Sequence, residues 1–366
     1  MGKDFNGIRA TIIGSGNWGT AFSKVLVDAG TQTSMLTTNQ SVLDSLRTKH
    51  EHPNYPDVHI SRRLKISDDP RILLDQEIIF LVIPAQVLRS ALQSYANFIP
   101  QNAIVCSLIK GIEAQTLKPM SEVIAETFSR ARSQKQGIRG AGISLSTETI
   151  PAELITNPQL PITNRVAVLS GPNLASEIIQ RQPAAATIAS SNLDTAYRVA
   201  QACDSGYFKT FVSSDVLGVE LCGDLKNVIA IAAGMLRGIG LGYNTLASLI
   251  TRGLKEISEI GVNLGAKEST FMGLSGVGDL IATCASSSSR NFTLGYKLAS
   301  GISLDQALQS SQGVAEGYYT VPSALKLAER YRLAAPIIRG VYQVLYKNRK
   351  CQDMLMDLLN ADIDIE

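Results

Sequence analysis

Short apolar runs alternate with amphipathic stretches over the first third of the chain, a pattern that predicts βαβ units feeding a parallel sheet. Residues 8–13 read as the first strand, and residues 20–29 as a helix with Ala21, Phe22, Val25 and Leu26 on one face and Gly30 as its C-terminal cap. A second strand is expected at 33–37. Buried strands are predicted at 78–83, ended by Pro84, and at 103–108, ended by the turn Lys110-Gly111. Segments 165–169 and 186–189 extend the series. Between 129 and 164, Gly137, Gly140, Gly142, Pro151, Pro158 and Pro161 punctuate a polar stretch that reads as a surface excursion. From Val216 onward strand signals vanish and helical periodicity takes over, as in 228–236, 246–264 and 324–331. The expected fold class is α/β, with a mostly parallel sheet domain over 1–212 and an all-helical substrate and catalytic domain over 213–366.

The length of 366 residues lets each half bury its own core. A formal net charge of +2 leaves no general basic field, which argues against nucleic acid or an anionic membrane as the main partner, so any anion must be bound locally. The five cysteines are scattered and contain no CxxC pair, as in a protein of a reducing compartment without a disulfide framework. With no apolar leader and no apolar run long enough to span a bilayer, a cytoplasmic protein is expected. No metal site is expected either: His50, His52 and His59 share one segment rich in Pro and Asn and lack the spacing of a ligand set.

Gly14-Ser15-Gly16-Asn17-Trp18-Gly19 is a GxGxxG sequence between the first strand and the first helix. Gly14 allows the tight turn, Gly16 lets backbone N–H groups approach a pyrophosphate, and Gly19 lets the helix pack close to the strand. The N-terminal domain is therefore expected to be Rossmann-like and to bind a dinucleotide. The acidic residue that often holds the adenosine ribose should fall near position 37, where Thr37, Thr38 and Asn39 stand instead. Neither a carboxylate nor an arginine is there, so NAD and NADP both stay open.

A dinucleotide-linked carbonyl reduction also needs a proton donor and groups that orient the substrate. Lys226 opens an almost wholly apolar helix, and desolvation lowers a lysine pKa towards the range useful for acid/base work. A lysine snorkelling from a helix edge remains the alternative. Lys110 and Gly171-Pro172-Asn173 follow predicted strands, on the side of an open α/β sheet where ligands bind. Asp279 and Thr283 are spaced to share one helical face, and Arg290-Asn291 follow a serine turn. One carboxylate, one hydroxyl and one guanidinium fork suit a phosphorylated polyol, although such an arginine also serves in surface ion pairs.

These residues, taken in order, resemble the NAD(P)-dependent sn-glycerol-3-phosphate dehydrogenases. The resemblance rests on Gly-Ser-Gly-Asn-Trp-Gly at 14–19, Ile-Pro-Ala-Gln at 83–86, Lys-Gly-Ile-Glu at 110–113, Leu-Ser-Gly-Pro-Asn-Leu-Ala at 169–175, Leu-Lys-Asn-Val at 225–228, Gly-Val-Gly-Asp-Leu at 276–280, Ser-Arg-Asn-Phe-Thr-Leu-Gly at 289–295 and Val-Ala-Glu-Gly at 314–317. It implies reversible reduction of dihydroxyacetone phosphate with NAD(P)H, without a metal, feeding glycerophospholipid synthesis. It further implies Lys226 as general acid/base supported by Asp279. Lys110, Gly171, Asn173, Thr283, Ser289, Arg290 and Asn291 would surround the substrate, with Arg290 at its phosphate. The loop Gly14, Ser15, Gly16, Asn17, Trp18 and Gly19 would hold the cofactor, with Lys110, Ala175, Arg290, Val314 and Glu316 beside it. A homodimer is the expected assembly.

The chain departs from the family's pattern in three places. The polar stretch 129–164 is longer than expected, the arginine that would mark NADP use is missing near Thr37, and Asp224 stands where a small residue is expected. Two helical positions are roughly 200° apart, so Asp224 should face away from Lys226 and find a partner of its own. Two rival readings stay open: a dehydrogenase for a hydroxy acid or sugar acid, and a dinucleotide sensor without catalysis, against which Lys226, Asp279 and Arg290 argue.

Overall fold

The computed structural model describes residues 7–140, 162–310 and 314–359. The N-terminal half supplies β1 (Arg9–Ile13), β2 (Gln32–Leu36), a hairpin of β3 (Glu51–His52) and β4 (Tyr55–His59), β5 (Lys65–Ser67), β6 (Ile78–Leu81), β7 (Ile104–Ser107), β8 (Val166–Ser170), β9 (Ala184–Ala189) and β10 (Phe208–Ser213). All but the hairpin form one eight-stranded sheet in the order β10-β9-β8-β7-β6-β1-β2-β5. Neighbours run parallel except β8 and β9. Every residue of β6 and β8 is buried, as continuous apolar strands must be when both faces of a sheet are covered.

Helices α1 (Asn17–Asp28), α2 (Gln40–Thr48), α3 (Leu88–Tyr95), α4 (Met120–Gly140), α5 (Ala175–Ile178) and α6 (Leu193–Cys203) accompany this sheet. Phe22 of α1 joins the two halves of one sheet face, its ring 5.0 Å from Phe80 of β6 and 6.1 Å from Phe208 of β10. The polar stretch from 129 is a correction to the expected excursion, because α4 continues to Gly140. Arg130, Ala131, Arg132, Gln134, Lys135 and Gln136 are good helix formers, no proline intervenes, and a glycine within a helix costs only about 1 kcal/mol. The remainder, 141–161, lies outside the described residues. Periodicity also passed over β5, β10 and the hairpin, which are short or half exposed and carry no continuous apolar run.

After Ser213 the described chain is helical: α7 (Val216–Gly238), α8 (Tyr243–Asn263), α9 (Glu268–Phe271), α10 (Asp279–Ala285), α11 (Arg290–Ala299), α12 (Leu304–Gln309), α13 (Glu316–Arg330), α14 (Pro336–Lys347) and α15 (Cys351–Leu359). Helix α7 is the axis of this half. It is buried from Gly218 to Leu236, with α8, α10, α11, α13, α14 and strand β8 around it. A helix enclosed on all sides must be apolar all round, which is why no amphipathic stripe marks it. Asp215 fixes its start by accepting the Gly218 N–H at 3.0 Å, and takes Lys267 N–H and Thr270 Oγ–H on its other oxygen. No described helix is long and apolar enough to cross a membrane. All five cysteines are buried and unpaired.

Helices α7 and α11 meet through glycine. A Cβ on Gly234 would lie 1.9 Å from Phe292 O, and one on Gly295 would lie 1.9 Å from Ile231 O, so the two backbones touch where side chains would otherwise stand between them. Gly295→Ala should therefore lower the unfolding free energy by about 1 to 3 kcal/mol through overpacking. Urea denaturation followed by circular dichroism checks this, and an unchanged midpoint would mean the crossing yields freely.

Candidate active site

The glycine loop sits between β1 and α1. Gly14 has φ +113°, and a Cβ there would lie 2.3 Å from Val82 O; a Cβ on Gly19 would lie 2.2 Å from Gly14 O. Both positions exclude any side chain for reasons internal to the fold. Gly16 differs: a Cβ there meets nothing within 4 Å, so its backbone borders open space. Helix α1 starts at that point with no side-chain cap and no acidic residue in its first turn. Its first N–H groups and the positive end of its dipole are thus available to an anion. Ser15 Oγ and Thr37 Oγ1 share a 2.6 Å hydrogen bond, which joins the loop to the end of β2 through buried hydroxyls. This cradle fits a dinucleotide.

The second part of the site is a buried charge cluster. Lys226 on α7 is only 4% exposed, which rules out the snorkelling alternative. Its Nζ donates to Asp279 Oδ1 at 2.5 Å and to Thr283 Oγ1, both on α10. The other oxygen of Asp279 accepts Lys110 Nζ at 2.7 Å, so one carboxylate serves two ammonium groups. Burial pulls the Lys226 pKa down to about 7; the Lys110 charge adds to the effect and Asp279 opposes it. Such an amine changes protonation near neutrality, as an acid/base group must.

The other sequence candidates border these two parts. Gly171 has φ +154°, and a Cβ there would lie 2.8 Å from Ala185 O and 3.5 Å from Asn173 Nδ2. Both polar atoms of the Asn173 side chain are buried without a partner, as expected of groups left for a ligand. The same turn approaches Gly278, next to Asp279, through Pro172. Asn291 Oδ1 accepts the Gly317 N–H at 2.9 Å, which ties α11 to the start of α13 beside Asn227 O. Ser289 caps α11 by accepting the Phe292 N–H. Arg290 is exposed and near enough to Glu316 and Tyr55 to act on both charges. Burial pushes the Glu316 pKa up to about 7, with Arg290 opposing. Ala175 opens α5, which packs on α1, and Val314 is exposed just ahead of α13; neither joins the lysine cluster through a hydrogen bond.

Sequence reasoning missed the hairpin. His52 is buried, its Nδ1 accepts the Asn54 N–H at 3.1 Å, and its Nε2 lies 3.0 Å from Ser15 O. Since Nδ1 accepts, Nε2 carries the proton and donates, so a neutral imidazole clips the hairpin to the glycine loop. Asn54 Nδ2 also donates to Asn17 Oδ1 at 2.7 Å. The only signal in the sequence was a histidine beside a Pro-Asn turn. His50 and His59 face each other across 5.8 Å without His52, and among the described residues no group of three or more His, Cys, Asp or Glu is placed to hold a metal ion.

A mostly parallel sheet with a glycine-rich phosphate cradle, joined to a helical domain with a buried lysine paired to a carboxylate, defines a dinucleotide-linked dehydrogenase. Comparison with known proteins narrows the class. The profile for the NAD-dependent glycerol-3-phosphate dehydrogenase N-terminus matches residues 9–144 and 137–196, and that for the C-terminus matches 215–356. The chain is 39% identical over 366 residues to a glycerol-3-phosphate dehydrogenase (NAD(P)+) of Bifidobacterium longum, covering 99% of each chain. It is 40% identical over 351 residues to the same-named enzyme of Corynebacterium aurimucosum, covering 95% of this chain and 96% of that one. The crystal structure of glycerol-3-phosphate dehydrogenase from Coxiella burnetii superposes with a TM-score of 0.84 at 27% identity, over 97% of this chain and 99% of that one. The chain belongs to the NAD-dependent glycerol-3-phosphate dehydrogenase family, and it is an enzyme.

Because the space at Gly16 is open, Gly16→Ala should leave stability within about 0.5 kcal/mol, as for a surface substitution, yet weaken dinucleotide binding at least about tenfold, or 1.4 kcal/mol. Trp18, the sole tryptophan, reports binding by fluorescence. Unchanged affinity would remove the loop from the binding site.

Proposed function

We propose that this enzyme interconverts dihydroxyacetone phosphate and sn-glycerol 3-phosphate with a nicotinamide dinucleotide, a reaction that feeds glycerophospholipid synthesis. The observation that carries the reading is the buried Lys226 ammonium, hydrogen-bonded to Asp279 and Thr283 and drawn by its surroundings to a pKa of about 7. Loop residues Gly14 to Gly19 hold the dinucleotide, with Lys110, Ala175, Arg290, Val314 and Glu316 beside it. The bound dinucleotide supplies the hydride that C2 of the substrate gains on reduction and yields on oxidation. Lys226 donates a proton to the C2 oxygen on reduction and takes it back on oxidation. Asp279 and Thr283 fix the direction of the Lys226 Nζ, and Lys110 offers a second positive charge to the developing alkoxide. Asn173, with two free buried polar atoms, Asn291 and the Ser289-capped start of α11 orient the triose. The Arg290 fork takes its phosphate, supported by the exposure of the guanidinium and by the absence, among the described residues, of a hydrogen-bonded partner for it.

Neither Ser15 nor Thr37 carries a charge that would repel or pair with a 2′-phosphate, so the cofactor is NAD or NADP. We place the domain boundary at 212/213, at the last residue of β10 and just ahead of α7, and take the enzyme to be a cytoplasmic homodimer.

The direct test is the loss of absorbance of NADH and of NADPH, separately, with dihydroxyacetone phosphate. Turnover is expected; no turnover with either, on protein shown to bind a dinucleotide, would overturn the reading. Lys226→Ala should lower kcat at least about 10²-fold, the lower bound for losing a general acid/base; a loss of only a few-fold would free Lys226 from that role. The lowered pKa gives the sign of the pH dependence. Reduction needs the ammonium and should slow as pH rises through about 7, whereas oxidation needs the amine and should speed up over the same interval. Parallel pH profiles in the two directions would contradict the assignment.

A further inference from the structure

Asp224 has no part in the reaction as proposed, yet it is wholly buried. Its Oδ1 accepts the Gly111 N–H at 2.6 Å, and its Oδ2 is buried without a partner. One turn earlier on α7, Glu220 accepts the N–H of Ser121 at 2.8 Å and its Oγ–H at 2.5 Å. Two carboxyl groups on one face of α7 therefore hold both ends of the connection between β7 and α4, the segment that carries Lys110. Gly111 has φ +145°, and a Cβ there would lie 3.0 Å from Ala85 Cβ, so the peptide that Asp224 grips is one that only glycine adopts without strain. The residue immediately before it directs its ammonium at Asp279.

The groups facing Asp224 are Glu220 from its own helix, Lys110 from the held segment and Glu316 from α13. Two are acids. A carboxylate with a single hydrogen bond in such a place is costly, and a proton on Oδ2 removes the larger part of that cost. Burial and Glu220 accordingly raise the Asp224 pKa well above the usual carboxylate range, with the Gly111 N–H and Lys110 opposing.

We propose that Asp224 is a positioning residue that acts through Lys110: as a neutral carboxylic acid it accepts the Gly111 N–H and fixes the peptide that aims Lys110 at Asp279. The inference rests on the reading of Lys110 and Lys226 given above, and it identifies what a buried acid does at a position where a small residue was expected.

Asp224→Asn keeps the acceptor without a charge, and Asp224→Ala removes it. In the full-length protein, Asp224→Ala should speed hydrogen exchange at the Gly111 amide at least tenfold and lower kcat about 10- to 100-fold, as for slight misplacement of a reacting constellation. Dinucleotide affinity, read from Trp18 fluorescence, should fall by less than turnover does, about threefold at most, since the glycine loop is untouched and only Lys110 among the groups beside the cofactor is displaced. Asp224→Asn should restore slow exchange and parent turnover, with the pH midpoint near 7 unmoved. Parent-like exchange and kcat in Asp224→Ala would overturn the proposal. So would an Asp224→Asn enzyme that is as impaired as Asp224→Ala, or whose pH midpoint shifts, because the charge would then be at work. Should Asp224→Ala fail to fold, Asp224→Asn decides alone by the same two outcomes. Gly111 exchange needs no turnover, so failure of this inference and failure of the proposed reaction remain distinguishable.

Discussion

The site depends on one carboxylate held between two ammonium groups. Asp279 bonds Lys226 with one oxygen and Lys110 with the other, in surroundings that exclude most water. Burying charge is costly unless it is paired and hydrogen-bonded, and here the pairing is incomplete, since two positive groups share one negative group. The surplus has a use. In the proposed reaction a phosphorylated substrate brings the missing negative charge, and Arg290, close enough to act on Glu316, adds a third positive group. Thus a protein of nearly neutral overall charge, +2, offers a locally cationic site.

Helix α7 makes that arrangement rigid. Its own turns present Lys226, Asp224 and Glu220, and its contact with α11 through Gly234 and Gly295 brings the helix that starts at Arg290 against it. The sheet contributes from its carboxyl edge: Gly14 after β1, Lys110 after β7 and Gly171 after β8 all lie in turns that leave strands on that side. Because β8 packs directly on α7, the two halves of the molecule share a wall, which seats the Lys226–Asp279 pair of the helical half against Lys110 of the sheet half.

Much of this was legible in the sequence. Strands buried on both faces appear as unbroken apolar runs, and the glycine loop is marked by residue types that no other turn requires. Lys226 was recognisable as a charged residue in an apolar helix, and Asp279 and Thr283 as an i, i+4 pair on one helical face, but only the family resemblance joined them, because their contact crosses from α7 to α10. The edge strands β5 and β10 were not, because half-exposed short strands carry little pattern. The hairpin was hidden for another reason: His52 acts through Ser15, 37 residues earlier in the chain, a contact that no local period encodes. Asp224 stood out as an anomaly, but its partner at Gly111 comes from an element 113 residues away.

The five cysteines give the protein a further property. Each lies inside, and burial raises the thiol pKa at Cys106, Cys203, Cys222, Cys284 and Cys351, so little reactive thiolate is on offer at neutral pH. Cys106 and Cys203 sit in the core of the sheet half, while Cys222 and Cys284 lie close to the lysine cluster. A thiol-directed reagent thus becomes a clock for opening: the order in which the sulfurs become labelled ranks how often each region of the interior meets solvent.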